Sequence, residues 1–170
     1  MFSGLTSLEK VGKIADSVQN MSMAFYGCTN LKTIVNIPAN VQSMAATFYG
    51  CTSLTSIPDI PDGVEDMTIT FYNCNNLVSL PIIPSKVKRI AGTFSGCTKL
   101  TGIIKIENAD NIEEYAYTDS DGSKIGTFTD TTKEITLQGQ GSLEKFNSIA
   151  ATSSAGNVKV DEANIIQPPQ

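Results

Sequence analysis

The stretch "TFYGCTSLTSIP" at residues 47–58 returns 23 residues later as "TFYNCNNLVSLP" at residues 70–81. The same frame continues on both sides of this pair. Phenylalanine therefore recurs at a constant spacing in five copies: Phe2, Phe25, Phe48, Phe71 and Phe94. A fixed period of about 20–50 residues is typical of a solenoid, in which each unit buries its apolar edge by stacking on the next. The repeat predicts stacked 23-residue coils.

Other positions of the frame are equally regular and predict columns of like side chains along the solenoid axis. The repeating unit is F-x-x-C-x-x-L-x-x-I-x-x-I-P-x-x-V-x-x-M-x-x-T. Its first aliphatic column consists of Val11, Ile34, Ile57, Leu80 and Ile103. Each coil is expected to contribute one short strand around the "LTSIP" segment, paired in parallel with its neighbours. The V-x-x-M-x-x-T-F spacing favours one helical turn on the opposite wall.

The four cysteines belong to the same frame, three residues after phenylalanine. They are Cys28, Cys51, Cys74 and Cys97. Metal sites need ligands that converge, whereas residues one coil apart project side by side. We therefore expect a column of reduced, buried thiols and no metal site.

The frame F-x-G-C-T-x-L-x-x-I-P-x-I-P-x-x-V-x-x-M resembles the BspA-type leucine-rich repeats of bacterial surface proteins, over residues 2–112. The resemblance implies a leucine-rich-repeat right-handed solenoid. It implies a parallel β-sheet on one face and short helical turns or irregular structure on the other. It also implies a bacterial protein displayed outside the cell, with a role in adhesion or protein binding and no catalytic residues.

Beyond Phe94 the frame changes, because the next "GTF" lies at residues 126–128. The turn-rich string "YTDSDGSKIG" at residues 117–126 predicts a surface hairpin within this enlarged unit. "KEITLQG" at residues 133–139 alternates like a strand, "SLEKFNSIAAT" suits a helix capped by Ser142, and residues 158–160 suit a short strand. We expect a solenoid over residues 1–127, then a final strand and a C-terminal α+β cap over residues 128–170.

Composition narrows the range of functions. The 170-residue chain has a net charge of −5, so a surface that neutralises nucleic-acid phosphates is not expected. It contains no histidine, which excludes Ser–His and Cys–His catalytic pairs and zinc sites with histidine ligands. No apolar run approaches the ~20 residues of a membrane-spanning helix. We expect neither an enzyme, nor a cofactor, nor insertion into a membrane.

Tyrosine follows phenylalanine in three consecutive coils, at Tyr26, Tyr49 and Tyr72, and Ser95 replaces it in the next. If phenylalanine points inward, its neighbour points partly outward, which predicts a stacked tyrosine stripe. Tyrosine offers contact area at low cost in conformational entropy, so the stripe is a candidate binding surface. The alternative is that stacked rings only stiffen the wall.

A second candidate surface lies between the two aliphatic columns, where the residue type varies freely. Asn36, Asp59 and Lys105 are its candidate binding residues. Variable residues on a regular frame suit recognition, although unconstrained solvent positions have the same pattern. A deep pocket shared by Asp59 and Lys105 would instead favour an enzyme.

Charged residues at equivalent places in adjacent coils predict two ion pairs, Glu65–Lys88 and Asp66–Arg89. Acidic residues also cluster in the inserted segment, at Asp119, Asp121 and Asp130. Glycine falls at the fourth position there, whereas the calcium loop of an EF-hand requires it at the sixth. A turn at the tip of the hairpin is the simpler interpretation, with calcium as the alternative.

The sequence thus favours a non-catalytic recognition or adhesion module that binds a protein or glycan through its sheet face or its tyrosine stripe. The alternative is a structural spacer in a longer repeat protein, with no ligand of its own. No capping segment precedes Phe2 in the sequence, so the first coil is expected to be uncapped. We expect self-association through that coil, or its coverage by another chain.

Overall fold

The computed structural model describes residues 2–167, so the ends of the predicted segments 1–127 and 128–170 lie partly outside the described residues. The elements in chain order are β1 (Lys10–Val11), β2 (Thr33–Ile34), β3 (Gly102–Ile106), a 3-10 helix (Ala109–Asn111), β4 (Ala116–Thr118), β5 (Lys124–Gly126), β6 (Ile135–Gln140), α1 (Leu143–Ala150) and β7 (Val158–Ile166).

The phenylalanine column forms the centre of the core, as the repeat predicts. Successive rings from Phe2 to Phe94 are stacked with centroids 5.6–6.0 Å apart. Phe128 continues the column at 5.4 Å from Phe94. Leucine, valine and methionine columns lie around it and are fully buried in the middle coils. At about 1.5–3 kcal/mol per fully buried apolar side chain, these columns supply most of the stabilisation.

The polar positions of the frame connect one coil to the next. The Thr47 hydroxyl donates to the carbonyl oxygens of Met44 in its own coil (2.7 Å) and Met21 in the preceding coil (2.9 Å). The Cys51 thiol donates to the carbonyl oxygen of Phe25, 3.2 Å away. Equivalent bonds recur in neighbouring coils. Threonine and cysteine therefore satisfy backbone carbonyls inside an otherwise apolar core.

The prediction of a reduced, buried thiol column is confirmed. All four cysteines are free and buried. Burial raises the pKa of Cys51 and that of Cys97 to about 12. These thiols are consequently protonated, poorly nucleophilic packing groups.

The predicted strands form in only some coils. β1 and β2 pair in parallel, and β3 follows Leu100 in the same frame. The coils between β2 and β3 contain no strand at this place, although Ile83 and Ile106 form an isolated parallel bridge. A longer series of parallel bridges lies on the other wall: Asn20–Ser43, Ser43–Asp66, Asp66–Arg89 and Arg89–Glu114. Prolines at residues 58 and 81 remove donors from the predicted strands, which explains their absence.

The wall predicted as a helical turn is instead a series of tight turns. Met23 has a positive φ of 56°, which interrupts a helix. Every second N–H donates to a carbonyl of the next coil at 2.7–3.0 Å: Met21 to Ser43, Met23 to Ala45, Phe25 to Thr47 and Gly27 to Tyr49. The backbone of this wall therefore bonds between coils, which a helical turn does not allow.

One predicted core position is wrong. Ile103 is 55% exposed, and Ile104 is buried in its place. The reason is that β3 is a true strand of five residues, so its side chains alternate with a period of two. Ile104 and Ile106 then point inward, whereas Ile103 and Lys105 point outward. Earlier coils bury residues three apart, such as Ile34 and Ile37.

The enlarged unit contains the predicted hairpin. β4 and β5 pair antiparallel, with Tyr117 opposite Ile125. The other added residues form the 3-10 helix, whose N-cap is Asn108.

Beyond Phe128, β6 pairs in parallel with both β3 and β7. The predicted helix is confirmed as α1: its N-cap Ser142 accepts a hydrogen bond from the Lys145 N–H, and Phe146 and Ile149 are buried. The predicted strand at residues 158–160 is longer than expected, because β7 extends to Ile166. One hydrophobic core runs from Met21 to Ile165. Within residues 2–167, no helix has the length and apolar character needed to cross a membrane.

Candidate functional site: a tyrosine wall and a strand-face groove

The three predicted tyrosines form one stacked column on the turn wall. Ring centroids are 4.5 Å apart for Tyr26–Tyr49 and 4.9 Å apart for Tyr49–Tyr72, and the rings are almost parallel. All three side chains are half-buried. Burial, followed by the neighbouring hydroxyls of Tyr26 and Tyr72, raises the pKa of Tyr49 above its usual value. The column exposes ring edges and hydroxyls, because neighbouring rings cover most of the ring faces.

The surface around this column contains no charged residue. We call residues 21–31, 44–54 and 67–77 the tyrosine wall; they include no Asp, Glu, Lys or Arg. Its exposed and half-buried polar side chains belong to Ser, Thr and Asn. Depletion of charge and enrichment in tyrosine distinguish the cores of protein interfaces. Tyrosine with Ser, Gly and Asn is also the composition of antibody paratopes.

The hairpin extends this surface with a residue that sequence reasoning missed. Ser95 stands in the tyrosine position and is buried. A Cβ atom placed on Gly92 would lie 3.1 Å from Cε1 of Tyr117, so the Tyr117 ring packs over Gly92. Burial, followed by the nearby Tyr72, raises the pKa of Tyr117. Two features of the sequence could have indicated this: an aromatic missing at residue 95 and an aromatic in the inserted segment.

The structure separates the other predicted binding residues from the tyrosine column and from one another. The Asn36 side chain bonds the backbone of Ile14, accepting from its N–H at 2.8 Å and donating to its carbonyl at 3.1 Å. Asn36 thus connects two coils. Asp59 is exposed beside a shallow depression that also contains Ile37 and Pro61.

Lys105 lies in a different place, which we call the strand-face groove. This groove has a volume of about 460 Å³ and is lined by Ile82, Ser85, Lys105, Glu107, Gln140 and Ile166, among others. Asp59 is not among its lining residues, so Asp59 and Lys105 share no pocket. The arrangement that would have favoured an enzyme is therefore not found at these two residues.

Both predicted ion pairs are confirmed. Lys88 Nζ lies 3.0 Å from Glu65 Oε2, and Arg89 Nε lies 3.1 Å from Asp66 Oδ2. These pairs flank the tyrosine wall and connect successive coils.

The acidic residues of the hairpin bind the backbone of their own turn. The Asp119 carboxylate accepts from the N–H groups of Asp121 (3.1 Å) and Ser123 (3.3 Å). The Asp121 carboxylate accepts from the same Ser123 N–H at 2.8 Å. These contacts favour the turn interpretation over calcium. No group of three metal-ligating residues is found within residues 2–167.

The first coil is apolar and exposed. Phe2 is 40% exposed and Leu5 is 46% exposed, whereas their counterparts in the following coils are buried. Leu8, Val11, Ile14 and Val18 are only partly buried. This coil presents to solvent the side chains that other coils bury against a neighbour.

The model of the BspA type leucine-rich repeat region matches this chain in six copies, over residues 1–91, 21–139 and 68–158. The chain belongs to this family. The match includes the strand β6 and the helix α1, where the cysteine and leucine positions of the frame are absent. Leucine-rich repeat proteins are typically non-enzymatic scaffolds for protein interactions, and the BspA-type family is associated with bacterial surface proteins.

Two crystal structures are similar to the chain. The T. pallidum leucine-rich repeat protein is 25% identical, with a TM-score of 0.45, over 64% of this chain and 64% of that chain. A leucine-rich repeat protein from Bacteroides ovatus ATCC 8483 is 18% identical, with a TM-score of 0.41, over 98% of this chain and 64% of that chain. The chain therefore spans less than two thirds of the length of either protein. The comparison with curated proteins gave no match.

Proposed function

We propose that this chain is a non-catalytic recognition module that binds a protein through the tyrosine wall. The observation that carries the proposal is the half-buried tyrosine column within a surface free of charged residues. The stacked rings are held in place before binding, so little side-chain entropy is lost when a partner covers them. The covered ring faces favour a protein over a glycan, because sugars pack against open aromatic faces.

Localisation and the finer description of the fold complete this proposal. A surface or secreted location in a bacterium agrees with the family's association with surface proteins. We retain the right-handed winding, and the division into a solenoid over residues 1–127 and a cap over residues 128–170, as parts of the same proposal.

The decisive experiment replaces the tyrosines in two ways. Serine is the conservative truncation, because Ser95 already occupies the same frame position. The triple variant Tyr26→Ser, Tyr49→Ser, Tyr72→Ser is expected to lose a partner that the native chain captures from cell-surface extracts. The triple Tyr→Phe variant keeps the rings and isolates the contribution of the hydroxyls. Melting temperatures of all variants measure the contribution of stacking to stability.

Salt dependence provides an independent measurement on the captured complex. Since the tyrosine wall carries no charge, its affinity for the partner is expected to change less than about twofold between 50 mM and 500 mM salt. Equal capture by the native chain and the serine variant, with both folded, would contradict the proposal. So would a complex that dissociates as salt rises.

A structural spacer is the second candidate, favoured by the contacts of the predicted site residues within the chain. The tyrosine rings stack on one another, and Asn36 bonds the backbone of Ile14. Under this hypothesis the serine variant loses stability and no partner depends on the wall.

Self-association through the first coil is a further part of the proposal, supported by the exposed Phe2 and Leu5. Sedimentation of the native chain should show a concentration-dependent mass. The variant Phe2→Asp, Leu5→Asp should sediment as a monomer. A native chain that is monomeric at all concentrations contradicts this part alone.

A further inference from the structure

Three exposed isoleucines converge around the strand-face groove, on a surface separate from the tyrosine wall. Ile82 is 48% exposed, Ile103 is 55% exposed and Ile166 is 67% exposed. Ile82 and Ile166 line the groove itself. Ile103 lies two residues before Lys105 on the outward face of β3, so its side chain continues the same surface. A cluster of exposed aliphatic side chains marks an interaction site more often than an isolated one does.

Lys105 lies between these aliphatic side chains. The pairing of Ile83 with Ile106 places Ile82 beside Lys105 in the neighbouring coil. On the other side, Lys105 is opposite Gln138 of β6. Within residues 2–167 the Lys105 ammonium group has no ion-pair partner.

The acidic side chains of this face are occupied by other donors. The Glu107 carboxylate accepts from the backbone N–H of Ser85 at 2.9 Å. The Asp161 carboxylate accepts from Gln138 Nε2 at 2.7 Å and from Asn164 Nδ2 at 2.9 Å, and these bonds lower the pKa of Asp161. The surface therefore combines an apolar area with one cation whose charge is not balanced by a direct ion pair.

From this juxtaposition we infer that the strand-face groove binds a protein segment in which aliphatic side chains alternate with acidic side chains. The aliphatic side chains cover Ile82, Ile103 and Ile166, and a carboxylate reaches Lys105. The apolar surface continues beyond the groove to Ile103, which favours a polypeptide over a small molecule. A basic segment would place like charge beside Lys105.

The experiment uses the native chain labelled with ¹⁵N and a blocked octapeptide, acetyl-Gly-Ser-Leu-Glu-Leu-Glu-Ser-Gly-amide. We expect the peptide to shift amide resonances around residues 82–85, 103–108, 139–140 and 166. Two matched peptides separate the contributions to binding: one carries Gln in place of Glu, and the other carries Ser in place of Leu. Both are expected to bind at least about tenfold more weakly.

Protein variants with matched controls test the same surface. Lys105→Gln is expected to weaken binding about tenfold, whereas Lys13→Gln, in the same column of the first coil, leaves it unchanged. Ile103→Thr is expected to weaken binding on the order of fivefold. Its control is Val35→Thr, since Val35 is also 55% exposed. All four changes are on the surface, and melting temperatures verify folding.

The inference is overturned if the peptide produces no shifts at the groove, or if the Gln peptide binds as tightly as the Glu peptide. It is also overturned if Lys13→Gln weakens binding as much as Lys105→Gln. These outcomes do not affect the tyrosine wall, because that surface is measured with another partner and other variants.

Discussion

The regular coils (residues 2–101) and the C-terminal region (residues 102–166) retain the same period in different ways. In the regular coils, columns of identical side chains repeat every 23 residues, and threonine and cysteine side chains bond the backbone of the preceding coil. In the C-terminal region the parallel pair Ile135↔Val158 is again 23 residues apart, without the cysteine or leucine of the frame. There the three-stranded sheet β3–β6–β7 maintains the stacking.

This difference shows that coil length is a property of the backbone path, which more than one set of side chains satisfies. The turn wall of the regular coils needs small or positive-φ residues and buried threonines. In the last coil α1 occupies this wall and buries Phe146 and Ile149. The outer edge is also altered, because β7 departs from regular pairing between Val160 and Ile165. Such irregularity is typical of edges that must not pair further.

The largest expected effect tests whether side-chain columns stabilise the regular coils. Phe71→Ala removes a fully buried ring stacked 5.6 Å from Phe48 and 6.0 Å from Phe94. We expect the free energy of unfolding to fall by about 3–5 kcal/mol. Phe2→Ala, at the exposed end of the column, is the matched control and should cost under about 1 kcal/mol. Equal losses in chemical denaturation would show that the column does not act through burial.

The next effect tests whether backbone geometry maintains the C-terminal region. A Cβ atom on Gly139 would lie 1.9 Å from the Ile106 carbonyl oxygen, and its φ is +138°. Gly139→Ala should therefore destabilise the protein by about 2–3 kcal/mol. Gly122→Ala is the control, because Gly122 has a φ of +90° but nothing within 4 Å of the added Cβ. A Gly139 variant no less stable than this control would contradict the proposed close approach of β3 and β6.

A third effect, in the regular coils alone, depends on pH. Burial raises the pKa of Cys51 and of Cys97 from 9.0 to about 12. The unfolded chain releases these protons first, so stability is fully present below about pH 9 and is lost as pH rises toward 12. Thermal melts under reducing conditions should show a steeper alkaline decline for the native chain than for Cys51→Ala, Cys97→Ala. Parallel declines would mean that the thiols remain accessible to water.

The smallest effect compares ion pairs from the two regions. Glu65–Lys88 lies in the regular coils with side chains 45% and 42% exposed, and Glu134–Lys159 lies in the C-terminal region with side chains 68% and 64% exposed. Double-mutant cycles should give coupling energies below about 1 kcal/mol for both, with the larger value for Glu65–Lys88. Both couplings should decrease in 1 M salt. A larger coupling for the C-terminal pair would contradict this order.

Much of the fold could be predicted because the repeat places identical residues in identical surroundings. The phenylalanine and cysteine columns, the tyrosine stripe and the Glu65–Lys88 pair all follow from the 23-residue spacing. Predictions based on local patterns were less accurate. The helical turn is absent because alternate N–H groups bond the next coil, and Ile103 is exposed because β3 alternates with a period of two.

The candidate sites were predicted only in part, for a related reason. The stripe formed by Tyr26, Tyr49 and Tyr72 lies within one repeated frame, so its stacking could be expected. Tyr117 joins that surface from a hairpin outside the frame, and Ile166 joins Lys105 from another strand. No spacing in the sequence relates these residues to their neighbours.

The sequence alone determined that successive coils stack and which side chains form columns, because translation by one repeat leaves each residue in the same environment. Tertiary structure alone decided where this regularity ends and what replaces it. Contacts such as Tyr117 over Gly92, or β7 beside β6, depend on how an inserted or capping segment folds back. That path is selected by packing and hydrogen bonding between distant residues, which a local period does not encode.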